Sequence, residues 1–262
     1  MSYPTVLYGP ESERFATYTN QRFPLGTELH LQDGRVFRFG ENGGVAATPG
    51  TMFQSEVPDG NFDSLVTPAQ AGTAIGSRAI IATLPAATVA VNLFAEGFVV
   101  TEAAAGSGEG YAYKIDSHLA NAGSLPLTLN LAAGNGLAAA ITVGADTLTL
   151  VRHPLRDVII APSPPTAAVI GVAAAAIALD CFGWFQVRGP CACLVLGTWV
   201  IGGSLSPGGT VTNGADGALE ATGVLITATA PTIAQETEIV RVGICMEVAP
   251  TTGYGLALLN MA

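Results

Sequence analysis

The sequence predicts a mostly β protein: an extended N-terminal arm with a β-hairpin, followed by two small antiparallel β-barrel or sandwich-like regions. Three observations predict it. Asp33-Gly34 sits between two alternating apolar runs, short period-two segments recur between turn residues, and a proline cluster, Ala161-Pro-Ser-Pro-Pro165, punctuates the chain. The expected organisation is an arm over residues 1–70 with the hairpin at 28–39, a β domain over 71–160, and a C-terminal β domain over 161–262.

The hairpin is the first readable element. Glu28-Leu-His-Leu-Gln32 and Arg35-Val-Phe-Arg-Phe39 flank Asp33-Gly34, and a two-residue type I′ turn there pairs Gln32 with Arg35, Leu31 with Val36 and His30 with Phe37. In that register Leu29, Leu31 and Val36 share one face, and Phe37 and Phe39 occupy the other. A ribbon apolar on both sides is expected to be clamped between two surfaces, one of them another subunit's. These five residues are the expected protein-contact site.

From Asn42 to about Gln70 the chain is rich in Gly, Pro, Asp and Ser and reads as extended arm. Strands are then expected at Leu93–Glu102, Glu109–His118, Leu125–Leu131, Asp146–Val151 and Val158–Ile160. In the second of these Tyr111, Tyr113 and Ile115 face one way, and in the third four Leu do so. Beyond the prolines the rhythm returns at Phe182–Arg188, Cys191–Leu196, Thr198–Ile201, Val224–Thr227, Glu238–Val248 and Tyr254–Leu259. Val169–Leu179 reads as strand or helix.

Composition bounds the function. The chain is 49% hydrophobic and 11% charged, with 32 Gly and 16 Pro, whereas ordinary domains carry about 25% charged residues. Such a chain folds, and much of its uncharged surface is expected to be covered by partners. The net charge of −10 supplies neither the total nor the clusters of Lys and Arg that nucleic acid or an anionic membrane requires. No signal-peptide pattern and no 20-residue apolar run is visible, so no membrane association is expected, and assembly is expected in the cytoplasm.

No residue pattern points to catalysis. His30, His118 and His153 stand apart, no Gly-x-Ser-x-Gly elbow occurs, and Gly106-Ser-Gly-Glu-Gly110 lacks the lysine of a phosphate loop. Asp59-Gly-Asn61-Phe-Asp63 begins like a calcium loop, but Ser64 and Gln70 stand where Gly and Glu are required. Glu96, Glu102, Glu109 and Asp116 have no aromatic-lined cleft to pair them as glycosidase acids. Cys181, Cys191, Cys193 and Cys245 lack paired zinc knuckles and read as free thiols. No catalytic, cofactor-binding or metal site is expected.

Several patches resemble virion structural proteins of tailed bacteriophages. Gly26-Thr-Glu-Leu-His-Leu-Gln-Asp-Gly-Arg-Val-Phe-Arg-Phe-Gly40 resembles their N-terminal hairpin, as do the segments 108–118 and 182–190 in their order. Val242-Gly-Ile-Cys-Met-Glu-Val248 to Leu259 is similar to the closing barrel hairpin of capsid decoration (cement) proteins. The resemblance implies a β-barrel protein on the outer surface of the head. It would stabilise the shell of the major capsid protein as a homo-oligomer, dimer or trimer. Tail, fibre or baseplate components share this composition, and a carbohydrate-binding or hydrolytic β domain is the alternative from another class.

Overall fold

The computed structural model describes residues 5–69, 73–85, 87–103, 108–134, 136–208, 216–222, 241–248 and 252–261. It is mostly β, and it divides into two compact units, Met1–Glu56 with Leu155–Ala262, and Val57–Pro154. Along the chain run β1 (Val6–Tyr8), β2 (Glu28–His30), β3 (Val36–Asn42) and β4 (Met52–Gln54). The second unit supplies β5 (Thr67–Pro68), β6 (Ala79–Thr83), β7 (Phe98–Ala103), β8 (Ala112–Ser117), β9 (Pro126–Leu131) and β10 (Asp146–Val151). The chain then returns through β11 (Ile159–Ile160), β12 (Val169–Ala173), β13 (Cys181–Leu196), β14 (Ser204–Pro207), β15 (Leu219–Thr222), β16 (Gly243–Cys245) and β17 (Thr252–Asn260).

This division replaces the expected boundaries at about 70 and at 161. The first 56 residues belong to the same unit as the C-terminal segment, and Val57–Pro154 is an insertion. Gln54 pairs with Ile159, so the chain leaves and re-enters the first unit at neighbouring positions, as insertions usually do. The prolines at 162, 164 and 165 are not a domain linker. They lie in the loop that carries the chain from β11, on one edge of β4, to β12 on the other. Proline suits such a crossing as well as it suits a linker, so composition alone does not separate the two.

The hairpin corrects the expected register by one residue. The pairs are Glu28–Arg38, Leu29–Phe37 and His30–Val36. The loop has three residues: Gly34 N–H donates to Leu31 C=O, and Leu31 N–H donates to Arg35 C=O. Gly34 alone takes the left-handed conformation, φ 84°, whereas a type I′ turn also needs Asp33 there. Asp33 instead accepts the Arg35 N–H at 3.1 Å. A one-residue slip exchanges faces. Leu29, Leu31, Phe37 and Phe39 therefore share one side, and Glu28, His30, Val36 and Arg38 share the other. Glu28 accepts from His30 at 2.9 Å, and this bond, helped by Arg38, holds its carboxyl below the usual range.

The apolar side faces inward. Phe39 stacks on Phe182 and meets Tyr18, Phe23 and Trp184 at ring distances of 5.1–6.1 Å. Across the β3–β13 sheet, Phe185 packs on Phe53 at 5.2 Å. These strands are buried on both faces, which explains the unbroken run of buried residues from Phe182 to Val187, apolar except for Gln186.

β13 is one 16-residue strand where two short ones were expected. Its first half pairs with β3 and β12, and its second half with β17 and β15. The ring β13–β15–β14–β16–β17–β13 is closed. Cys193, Val195, Trp199, Leu205, Leu219 and Leu259 fill it. Thr198–Ile201 is not a strand; it turns the chain so that Trp199 Nε1 donates to Leu219 C=O at 3.1 Å inside the barrel. Val169–Leu179 forms strand rather than helix, ending at Ala173.

The insertion is a six-stranded sheet in the order β10–β7–β8–β9–β6–β5. A bridge from Val66 to Leu148 joins its first and last members and closes a barrel. Leu127, Leu129 and Leu131 point inward as their alternation predicts, with Ile80, Val99, Ile115 and Leu148, whereas Leu125, expected with them, precedes the strand and is exposed. Leu93–Gly97 turns rather than extends, so strand begins at Phe98. His118 holds that turn: Phe94 N–H donates to its Nε2 at 2.9 Å, and its own N–H donates to Asn92 Oδ1 at 3.0 Å.

Candidate functional site

The five residues singled out for protein contact lie inside the first unit. Phe37 and Phe39 are fully buried, and Leu29, Leu31 and Val36 are at most 8% exposed. They pack on their own chain and offer no surface to another. With the register moved by one, the hairpin has one oily face, and burying it completes the core.

The apolar surface lies elsewhere. In the closed barrel of the first unit, Leu194 pairs with Tyr254, Ala192 with Leu256 and Pro190 with Leu258. Leu258 also pairs with Ile244, and Met246 N–H donates to Leu256 C=O. Opposed residues in an antiparallel pair share a face. The outer face of β13, β17 and β16 thus carries three rows: Leu194–Tyr254, Ala192–Leu256–Met246 and Pro190–Leu258–Ile244. Tyr254 is 49% exposed, and Ile244, Met246, Leu256 and Leu258 lie between 36% and 43%. Gly255, Ala257 and Leu259 alternate with them and point inward. The C-terminal ribbon is therefore apolar on both sides.

Two grooves border this face. One, of about 780 Å³, is lined by Phe15, Pro49, Gly50, Ala192, Tyr254 and Leu256. Gly50 is required there: its φ is 81°, and a Cβ would stand 2.7 Å from the Tyr254 ring. At its polar end Arg35 is held by Asp33 at 2.6 Å and by Glu11, which also binds Arg14 at 2.6 Å. The Arg35 hydrogen bond keeps the Glu11 carboxyl below its ordinary range. Two cations and two anions balance there. The second groove, about 660 Å³, is lined by Arg188, Arg241, Asn260, Ile244 and Leu258 and shares Pro190 with the first.

Asp59 caps a short 3₁₀ turn, Gly60–Phe62, by accepting Asn61 N–H at 2.9 Å. Among the described residues no group of His, Cys, Asp and Glu is arranged to hold a metal ion. Cys191, Cys193 and Cys245 are buried and Cys181 half-buried, all as free thiols. Cys191 and Cys193 share the inner face, and the contact with Cys191, with burial, pushes the Cys193 thiol up. Residues 106 and 107 of the glycine-rich loop at 106–110 fall outside the described residues, as do Val224–Thr227 and the start of the segment Glu238–Val248.

The exposed rows had a signal in the sequence. Tyr254, Leu256 and Leu258 alternate with Gly255, Ala257 and Leu259, so both faces of that strand are apolar on the page. In the early hairpin the observed register puts the apolar residues Leu29, Leu31, Phe37 and Phe39 on one buried side. No protein-family model matches this chain, and no curated protein or solved structure matches it.

Proposed function

We propose that this chain is a structural protein of a tailed-bacteriophage virion. It binds the outer surface of the head as a decoration (cement) protein and stabilises the major capsid protein shell. The observation that carries the reading is the three-row apolar face of β13, β17 and β16. Most exposed apolar side chains on soluble proteins are scattered, and a contiguous patch marks a site of interaction. Its first row holds Tyr254 beside Leu194 and next to Leu256, an aromatic residue of the kind that anchors protein interfaces. The sequence resemblance supplies the identity of the partner, and the net charge of −10 suits the outside of a head better than its DNA-lined interior.

The mechanism is linkage. A protein that binds only the assembled shell stabilises it by mass action, with no chemical step. Cosedimentation with undecorated heads assembled from the cognate major capsid protein tests this. The wild-type chain should pellet with heads, and Leu256→Asp with Leu258→Asp should weaken binding at least tenfold while the variant stays folded. Binding unchanged by that pair would overturn the reading. Gold label at a single vertex, rather than over the head, would reassign the chain to the tail.

A further inference from the structure

The apolar rows end on a row of different chemistry. Arg188 pairs with Asn260 on β17, and Asn260 N–H donates to Val242 C=O, which brings Arg241 to the same end of the sheet. Arg188 and Arg241 line one groove of about 660 Å³ with Asn260, Ile244 and Leu258. Both side chains are exposed, and among the described residues neither has an ion-pair partner, in contrast to Arg14 and Arg35 across Pro190. The acid in the lining is Asp33, whose carboxylate is committed to Arg35. In a chain with twice as many acids as bases, two unmatched guanidiniums beside an oily face form a local reversal of charge.

We infer that this groove receives the carboxylates of an acidic segment of the partner protein, whose neighbouring apolar side chains lie on the rows beyond. Guanidinium groups bind carboxylates through paired, charge-assisted hydrogen bonds. The Asn260 amide adds a neutral donor and acceptor between them. The apolar rows contribute affinity, and the arginine row sets orientation and selects against a basic partner. This inference rests on the reading of the sheet face as a docking surface.

The probe is a fluorescent decapeptide of alternating Leu and Glu, compared with its Leu–Gln and Leu–Lys counterparts by anisotropy against the full chain. The Glu peptide should bind at least tenfold more tightly than the Gln peptide, and the gap should narrow as salt is raised. Arg188→Glu with Arg241→Glu should abolish that preference or transfer it to the Lys peptide. Arg188→Gln, a milder change at an exposed site, should reduce it severalfold. Equal binding of the three peptides, or a preference untouched by either arginine change, would overturn the inference. Self-association that the double charge reversal dissolves would give the groove to a second copy and overturn the assignment to a separate partner. Head binding lost in the Leu256→Asp, Leu258→Asp variant but kept in the arginine variants would leave the docking face standing and remove the acidic partner.

Discussion

The two ribbons of the first unit, β2–β3 near the start and β16–β17 near the end, have similar alternating sequences and opposite fates. In the first, Leu29, Leu31, Phe37 and Phe39 fall on one side and vanish into the core, while the charged side is satisfied by local pairs. In the second, Cys245, Ala257 and Leu259 fill the barrel, and Ile244, Met246, Leu256 and Leu258 remain outside. The first ribbon contributes stability, and the second has apolar surface left over after stability is secured. Register, more than hydrophobicity, decides which is which.

The sharpest test removes the centre of the buried side. Phe39 contacts four rings, and Phe39→Ala should cost about 3–5 kcal/mol, with a matching fall in the urea midpoint. Replacing Phe37 and Phe39 together by Ser should unfold the first unit rather than silence an interface. Leu258→Asp on the exposed side should change stability by only about 0.5 kcal/mol. Equal costs at the two sites would erase the distinction between the ribbons.

A smaller effect tests the register itself. Gly34 stands at φ 84° with open space where a Cβ would project. Gly34→Ala therefore meets no clash, and its cost is the backbone strain of an L-residue in the left-handed region, about 1–2 kcal/mol. Amide exchange should keep Leu31 N–H protected by Arg35 C=O in the wild type. Protection in the pattern of a two-residue turn, with Gln32 opposite Arg35, would restore the two-faced ribbon and reopen it as a contact site.

These outcomes mark what the residues made legible. Period-two alternation placed Leu127, Leu129 and Leu131 inside a barrel and identified β7, β8 and β10 but not β6, because side-chain direction in a strand follows directly from position whereas the short segment Ala79–Thr83 carries no polar alternation. It did not reveal that 57–154 is inserted between two halves of one unit, since β4 and β11 pair across about a hundred residues and leave no local trace. Nor could Asp33-Gly34 fix the loop length: the dipeptide suits a two-residue turn and the tail of a three-residue one, and the burial of four apolar side chains selects the latter. The exposed apolar face was legible in Tyr254–Leu259, but only once burial showed that the barrel needed one side of it.

The finest test reads the cover over the buried ribbon. Tyr18 packs on Phe39 at 6.1 Å and donates its hydroxyl to Glu13 Oε1 at 2.6 Å. Burial of the phenol, then the hydrogen bond and charge of Glu13, push its pKa from 10 to about 12. The folded state holds this proton more tightly than the unfolded chain does. Its contribution is therefore complete below pH 10 and is lost as pH rises through about 12. Absorbance titration at 295 nm should show a late ionisation near pH 12 that Tyr18→Phe removes. If the difference between the two proteins instead falls near pH 10, the phenol is solvated and the N-terminal segment does not seal the ribbon. The inner side of β2–β3 would then compete with the outer face of β16–β17 as the surface available to a partner.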